Sequence, residues 1–124
     1  MTNLKALIID DEIDICVLLS GILKQIGINT SFAVSLNEGR KFLDEKAYEI
    51  LFLDNNLPDG SGLEHLPRIN QEYPGMKIIM ISAYDGDKER ESAKQNGAVD
   101  FIGKPLSGRA IRSSLQNHFT SLNL

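Results

Sequence analysis

Short, continuous apolar runs alternate along this chain with segments whose apolar residues recur every three or four positions. Leu4 to Ile9 reads LKALII and ends in Asp10, Asp11 and Glu12. Ile28 to Val34 is a weaker, mixed run. Ile50 to Leu53 (ILFL) ends in Asp54, and Lys77 to Ile81 (KIIMI) ends in Ser82. Val99 to Ile102 (VDFI) leads to Lys104 and Pro105. Runs this short and this apolar predict strands buried on both faces, which is what parallel sheets need.

The intervening segments predict helices. Ile15, Leu18, Leu19, Ile22 and Ile26 form one apolar stripe, and Gly27 ends it. Leu36 to Lys46 repeats the pattern with Leu36, Gly39/Arg40 and Leu43, less favourably because of its glycine. A third helix opens at Ser61 or Gly62, runs through Leu63, Leu66 and Ile69, and stops at Pro74-Gly75; Pro67 inside it predicts a kink or a delayed start. The fourth, 87–96, has Ala93 as its only apolar residue. The last spans 107–122 with Ile111, Leu115 and Phe119 in register. Five strand–helix units predict an α/β chain, a flavodoxin-like (βα)5 doubly wound sheet of order 2-1-3-4-5 with helices on both faces.

Composition leaves that picture intact. The 124 residues suit a single domain over 1–124, with 42% hydrophobic and 24% charged residues. A net charge of −4 argues against direct binding to nucleic acid. One cysteine, Cys16, excludes an internal disulfide framework and reads as a small apolar core residue. No apolar stretch has signal or membrane-spanning length, so a cytoplasmic protein away from membranes is expected.

The chemistry lies at the carboxyl ends of the strands, where doubly wound sheets carry their ligand sites. Strand one delivers Asp10, Asp11 and Glu12; strand three delivers Asp54, with Asn56 two residues on; strand four delivers Ser82 and strand five Lys104. Taken singly, each has a plain reading as a helix-end charge, a turn, a cap or a solvated lysine. In the predicted order they converge on one pocket. Crowded carboxylates repel unless a cation joins them, and hard oxygen donors favour Mg²⁺ or Mn²⁺. Beside such an ion, Lys104 and Ser82 suit two phosphoryl oxygens, and a central carboxylate suits nucleophilic attack on phosphorus.

The acidic pair Asp10-Asp11, Asp54 in LDNNLPDGSG, Ser82-Ala83 and Lys104-Pro105 together resemble the response-regulator receiver family over nearly the whole chain. The resemblance implies Asp54 as phosphoacceptor, with Lys104 and Ser82 on the phosphoryl oxygens. It implies Asp11 and Asp54 as metal ligands, Asn56 through its backbone carbonyl, and Asp10 through a metal-bound water. Phe101 matches the switch aromatic and is expected to turn inward on activation; Asn56 and Tyr84 match tuning positions. Glu12 exceeds the acidic pair and reads first as a charge on the helix's first turn, second as a partner of a metal water. A cis peptide before Pro105 is also implied.

The family further implies a sensor histidine kinase or histidine phosphotransfer protein as donor, and a downstream protein or a C-terminal effector domain as output. No separate enzyme activity is expected beyond self-phosphorylation and slow loss of the phosphoryl group. Three rivals fit less well. Flavin binding needs a glycine- and hydroxyl-rich loop after strand one, where this chain has three acids. A calcium loop starting at Asp54 needs Gly at position six and Glu at twelve, yet Gly60 falls at seven and His65 at twelve. A haloacid-dehalogenase phosphatase carries DxD after its first strand. The remaining alternative is a receiver-like module that binds partners without phosphorylation.

Overall fold

The computed structural model describes residues 3–120 and 122. Five strands form one parallel sheet: β1 (Lys5–Ile9), β2 (Asn29–Ala33), β3 (Ile50–Asp54), β4 (Lys77–Ser82) and β5 (Ala98–Gly103). Their order is β2-β1-β3-β4-β5, as the alternation of runs and stripes predicts. Five helices join them: α1 (Ile13–Ile26), α2 (Leu36–Glu45), α3 (Gly62–Glu72), α4 (Asp87–Gln95) and α5 (Gly108–His118).

Every residue of β3 is buried, consistent with its central position and its unbroken ILFLD sequence. Successive side chains point to opposite faces. Leu7, Ile9, Leu51, Leu53, Ile78 and Met80 therefore meet α2, α3 and α4 on one side. Ala6, Ile8, Ile50, Phe52, Ile79 and Ile81 meet α1 and α5 on the other. A fully buried Leu or Ile contributes about 1.5–3 kcal/mol, so the two layers hold the sheet without a staple. Val99 is an extra residue in β5: Ile78 pairs with Ala98 but Ile79 with Asp100.

The register positions the site. Ile9 lies opposite Leu53, so Asp10 and Asp54 leave the sheet side by side. Ser82 lies opposite Gly103, placing Lys104 next to Ser82.

Some boundaries differ from the sequence expectation. The inward residues of α1 are Cys16, Leu19 and Leu23, whereas Leu18 is 45% exposed and Ile15, Ile22 and Ile26 are half-buried. Residues 15–19 are all apolar, so the local pattern could not say which line faces the sheet. Cys16 is core, as expected. Helix α3 begins at Gly62 under the Ser61 cap with no delay; Pro67 sits inside on the exposed side. Helix α5 ends at His118, short of residue 122, and residue 121 lies outside the described set. Asn56–Leu57 and Gly60–Ser61 form a two-residue antiparallel ladder around Pro58-Asp59, where the local residues suggest only a turn.

Candidate functional site

Four side chains from three strand ends meet directly. Lys104 Nζ stands 2.8 Å from Glu12 Oε1, 2.9 Å from Asp10 Oδ2 and 3.3 Å from Asp54 Oδ1. The Asp10 contact is an ion pair, and the buried Oδ2 it involves has no regular hydrogen-bond partner among the described residues. Its other oxygen accepts the Glu12 N–H at 2.9 Å. The Lys104–Pro105 peptide is cis, and the Lys104 N–H donates to the Ser82 carbonyl at 2.8 Å.

Burial shapes the charges. Asp54 is pushed up to about 6, first by burial and then by the Asp10 charge, against the pull of Lys104. Asp10 is also raised, chiefly by burial. Burial alone would lower the Lys104 pKa, but Glu12, Asp10 and Asp54 outweigh it and hold the ammonium above its usual range. The Cys16 thiol, buried beneath and donating to the Asp10 carbonyl at 3.3 Å, is pushed up to about 11 by burial and the Asp10 charge. It packs as a buried core residue.

The cluster fits a hard divalent cation. One oxygen each from Asp10, Asp11 and Glu12 lies within 4.8 Å of the others. The donors are carboxylates, and one buried oxygen lacks a hydrogen-bond donor; this set suits a small cation that keeps several waters. Asp11 is exposed beside it.

The loop after Asp54 is built for close approach. A Cβ on Gly62 would stand 2.2 Å from the Asp54 carbonyl oxygen, so only glycine lets the start of α3 close over the end of β3. Asn55 organises the turn: its Oδ1 accepts from Ser61 Oγ at 2.7 Å and from the Leu63 N–H at 3.0 Å. Asp59 reaches across to α2 and accepts the Leu36 and Asn37 N–H groups, both at 2.8 Å. Asn56 is exposed and pairs with Ser61 in the short ladder.

Ser82 is buried, and its Oγ accepts the Tyr84 N–H at 3.1 Å; the Tyr84 side chain faces solvent at 65% exposure. The Phe101 ring, the expected switch aromatic, is buried at 7% exposure. Arg90 from α4 explains the position. It donates to the Phe101 carbonyl at 3.0 Å and to the Asp85 carbonyl at 2.9 Å, and its guanidinium lies 5.2 Å from the ring centroid.

The structure thus brings Asp10, Asp54 and Lys104 together, with Asp11 at the cluster and Ser82 at the adjoining strand end. Glu12 stands at the start of α1, as expected, and its carboxylate also pairs directly with Lys104. Asn55, Asp59 and Arg90 escaped the sequence reading. The spacing of Asn55 from Ser61 and Leu63 carries a turn signal, but the reach of Asp59 and Arg90 is tertiary and leaves no local mark.

The chain matches the family model described as "Response regulator receiver domain" over residues 6–116. It is 38% identical over 112 residues to the response regulator protein PilR of Pseudomonas aeruginosa, covering 90% of this chain and 25% of that protein. This chain therefore spans about a quarter of that relative's length. Among solved structures, a CheY-like receiver domain protein from Methanospirillum hungatei superposes with a TM-score of 0.89 at 26% identity, covering 97% of this chain and 96% of the other. The receiver domain of NtrX from Brucella abortus gives 0.85 at 30% identity, with 94% and 98% covered. Sheet order, strand-end chemistry and sequence similarity agree: the chain belongs to the response regulator receiver domain family.

Proposed function

We propose that this domain accepts a phosphoryl group on Asp54 from a phosphohistidine and passes the change to the surface formed by α4, β5 and α5. The observation that carries the reading is the junction of buried Asp54 with Lys104 and the three strand-one acids. One Asp54 carboxylate oxygen attacks phosphorus, the phosphorus–nitrogen bond breaks, and the imidazole leaves with the electron pair. Lys104 supplies positive charge to one phosphoryl oxygen, and the Ser82 hydroxyl gives up the Tyr84 N–H to reach another. Asp11, Asp54 and the Asn56 carbonyl would hold Mg²⁺ directly, and Asp10 through water. Bound there, the ion neutralises charge on the transferring group.

A sensor histidine kinase or histidine phosphotransfer protein is the donor in this reading. The output is a downstream partner or an effector domain, consistent with the greater length of the relative. We place the system in the cytoplasm, and Asn56 and Tyr84 tune the lifetime of the phosphorylated state. Intact-protein mass after incubation with acetyl phosphate tests the reading. A Mg²⁺-dependent gain of one phosphoryl group, absent in Asp54→Asn, supports it. No gain, with acetyl phosphate and with phosphorylated kinase, would leave the phosphorylation-independent module in its place.

A further inference from the structure

Glu12 makes a contact that a helix-end charge has no reason to make. It is the N-cap residue of α1, yet its side chain accepts no capping hydrogen bond from that helix. Instead its carboxylate reaches the Lys104 ammonium across 92 residues of sequence separation at 2.8 Å, the shortest of the three Lys104 ion pairs. The contact to Asp54 is the longest, at 3.3 Å. Of the three partners, Asp10 and Asp54 are almost wholly buried, whereas the Glu12 side chain is 60% exposed.

Of its three carboxylate contacts, the ammonium makes a hydrogen bond to Glu12, while Asp10 and Asp54 face it as ion pairs. A phosphoryl oxygen arriving at Asp54 draws the ammonium towards itself, and the bond to Glu12 is the one that this pull opposes. The partner most cheaply released is the one that water can solvate, because an exposed ion pair contributes only about 0–1 kcal/mol. Asp10 cannot leave without stranding a buried charge.

We propose that Glu12 is a positioning residue that holds Lys104 in the resting site and competes with the phosphoryl group for it. The inference rests on Asp54 being the phosphoacceptor. Glu12 sets how readily Lys104 is surrendered, and so the affinity of the site for a phosphoryl donor and the persistence of the phosphorylated state. Removing the competitor stabilises the state in which Lys104 serves the phosphoryl oxygen, by the share of the contact that is lost.

The test compares wild type, Glu12→Gln and Glu12→Asp with acetyl phosphate and Mg²⁺, following intact mass against donor concentration and time. Gln keeps the length and loses the charge; Asp keeps the charge and loses one methylene of reach. Both variants are expected to lower the half-saturating donor concentration by about two- to fivefold. They should lengthen the phosphoryl lifetime by a similar factor, with the maximal rate changed less than about twofold. In parallel, the Lys104 ammonium resonance in the absence of donor and metal should move in both variants.

Half-saturation that is unchanged or raised, or an ammonium resonance that stays put, overturns the proposal; a raised value would assign Glu12 to the metal's water instead. If wild type gains no mass from acetyl phosphate or from phosphorylated kinase while binding Mg²⁺, the phosphoacceptor reading fails and takes this inference with it. Failure confined to the variant comparison removes this inference alone.

Discussion

Arg90 and Phe101 are joined twice, once by a hydrogen bond from the guanidinium to the Phe101 carbonyl at 3.0 Å and once by the guanidinium lying 5.2 Å from the ring centroid. Because Arg90 also takes the Asp85 carbonyl, one side chain ties α4 to the loop after Ser82 and to β5. That bond matters for α4 because Ala93 is its only buried residue. Burying one alanine side chain contributes on the order of 1 kcal/mol, too little to seat a nine-residue helix firmly.

Arg90→Met should keep the aliphatic stem over Phe101 and lose the hydrogen bonds. Amide exchange in α4 is expected to quicken by about tenfold, the equivalent of one or two lost net hydrogen bonds, with α1 and β3 unchanged. Exchange in α4 as slow as in wild type would mean that the helix is held by something other than this side chain.

Asp59 ties the loop after Asp54 to the N-terminus of α2, and these backbone bonds, led by Asn37, hold its carboxyl below the ordinary value of 3.8. A lowered folded pKa contributes stability above that ordinary value, and the contribution fades as pH falls through the folded one. Asp59→Asn should therefore cost about 1 kcal/mol at neutral pH, kept small by solvent exposure. The difference should shrink on acidification below pH about 4. Urea unfolding of the two proteins at several pH values measures this; a gap that grows on acidification would contradict it.

Gly62→Ala asks a Cβ to sit 2.2 Å from the Asp54 carbonyl oxygen, a backbone atom that cannot swing aside. Destabilisation of about 2–3 kcal/mol is expected, together with slower phosphorylation, because the relief must come from moving β3 or α3. Thermal unfolding and phosphorylation rate should fall together; full activity with wild-type stability would show that the loop has slack.

Lys104→Gln would leave Asp10 and Asp54 buried together without their cation. The expected loss is about 3 kcal/mol in chelator, smaller when Mg²⁺ is added. Unfolding with and without Mg²⁺ reads both values. A variant as stable as wild type in chelator would mean that the buried acids are protonated or hydrated at little cost.

Much of the fold was legible because its signals are local. The ILFL and KIIMI runs identify buried strands by composition, and the helices between them dictate a parallel sheet. Even the meeting of Asp10, Asp54, Ser82 and Lys104 follows from strand ends plus strand order. The face of α1 was not legible: with residues 15–19 all apolar, only contact with the sheet and α5 selects Cys16, Leu19 and Leu23.

Local pattern is enough to place these residues at the carboxyl ends of the strands, and hence to set the chemistry available there. How they are shared is settled by packing between distant segments. That Glu12 takes Lys104, that Arg90 covers Phe101, and that Asp59 caps α2 depend on side chains meeting across 92, 11 and 22–23 residues of chain. Periodicity reports which side of its own element a residue faces. It carries no information about which distant charge will be waiting there, because that is fixed by how the packed layers bring the loops together.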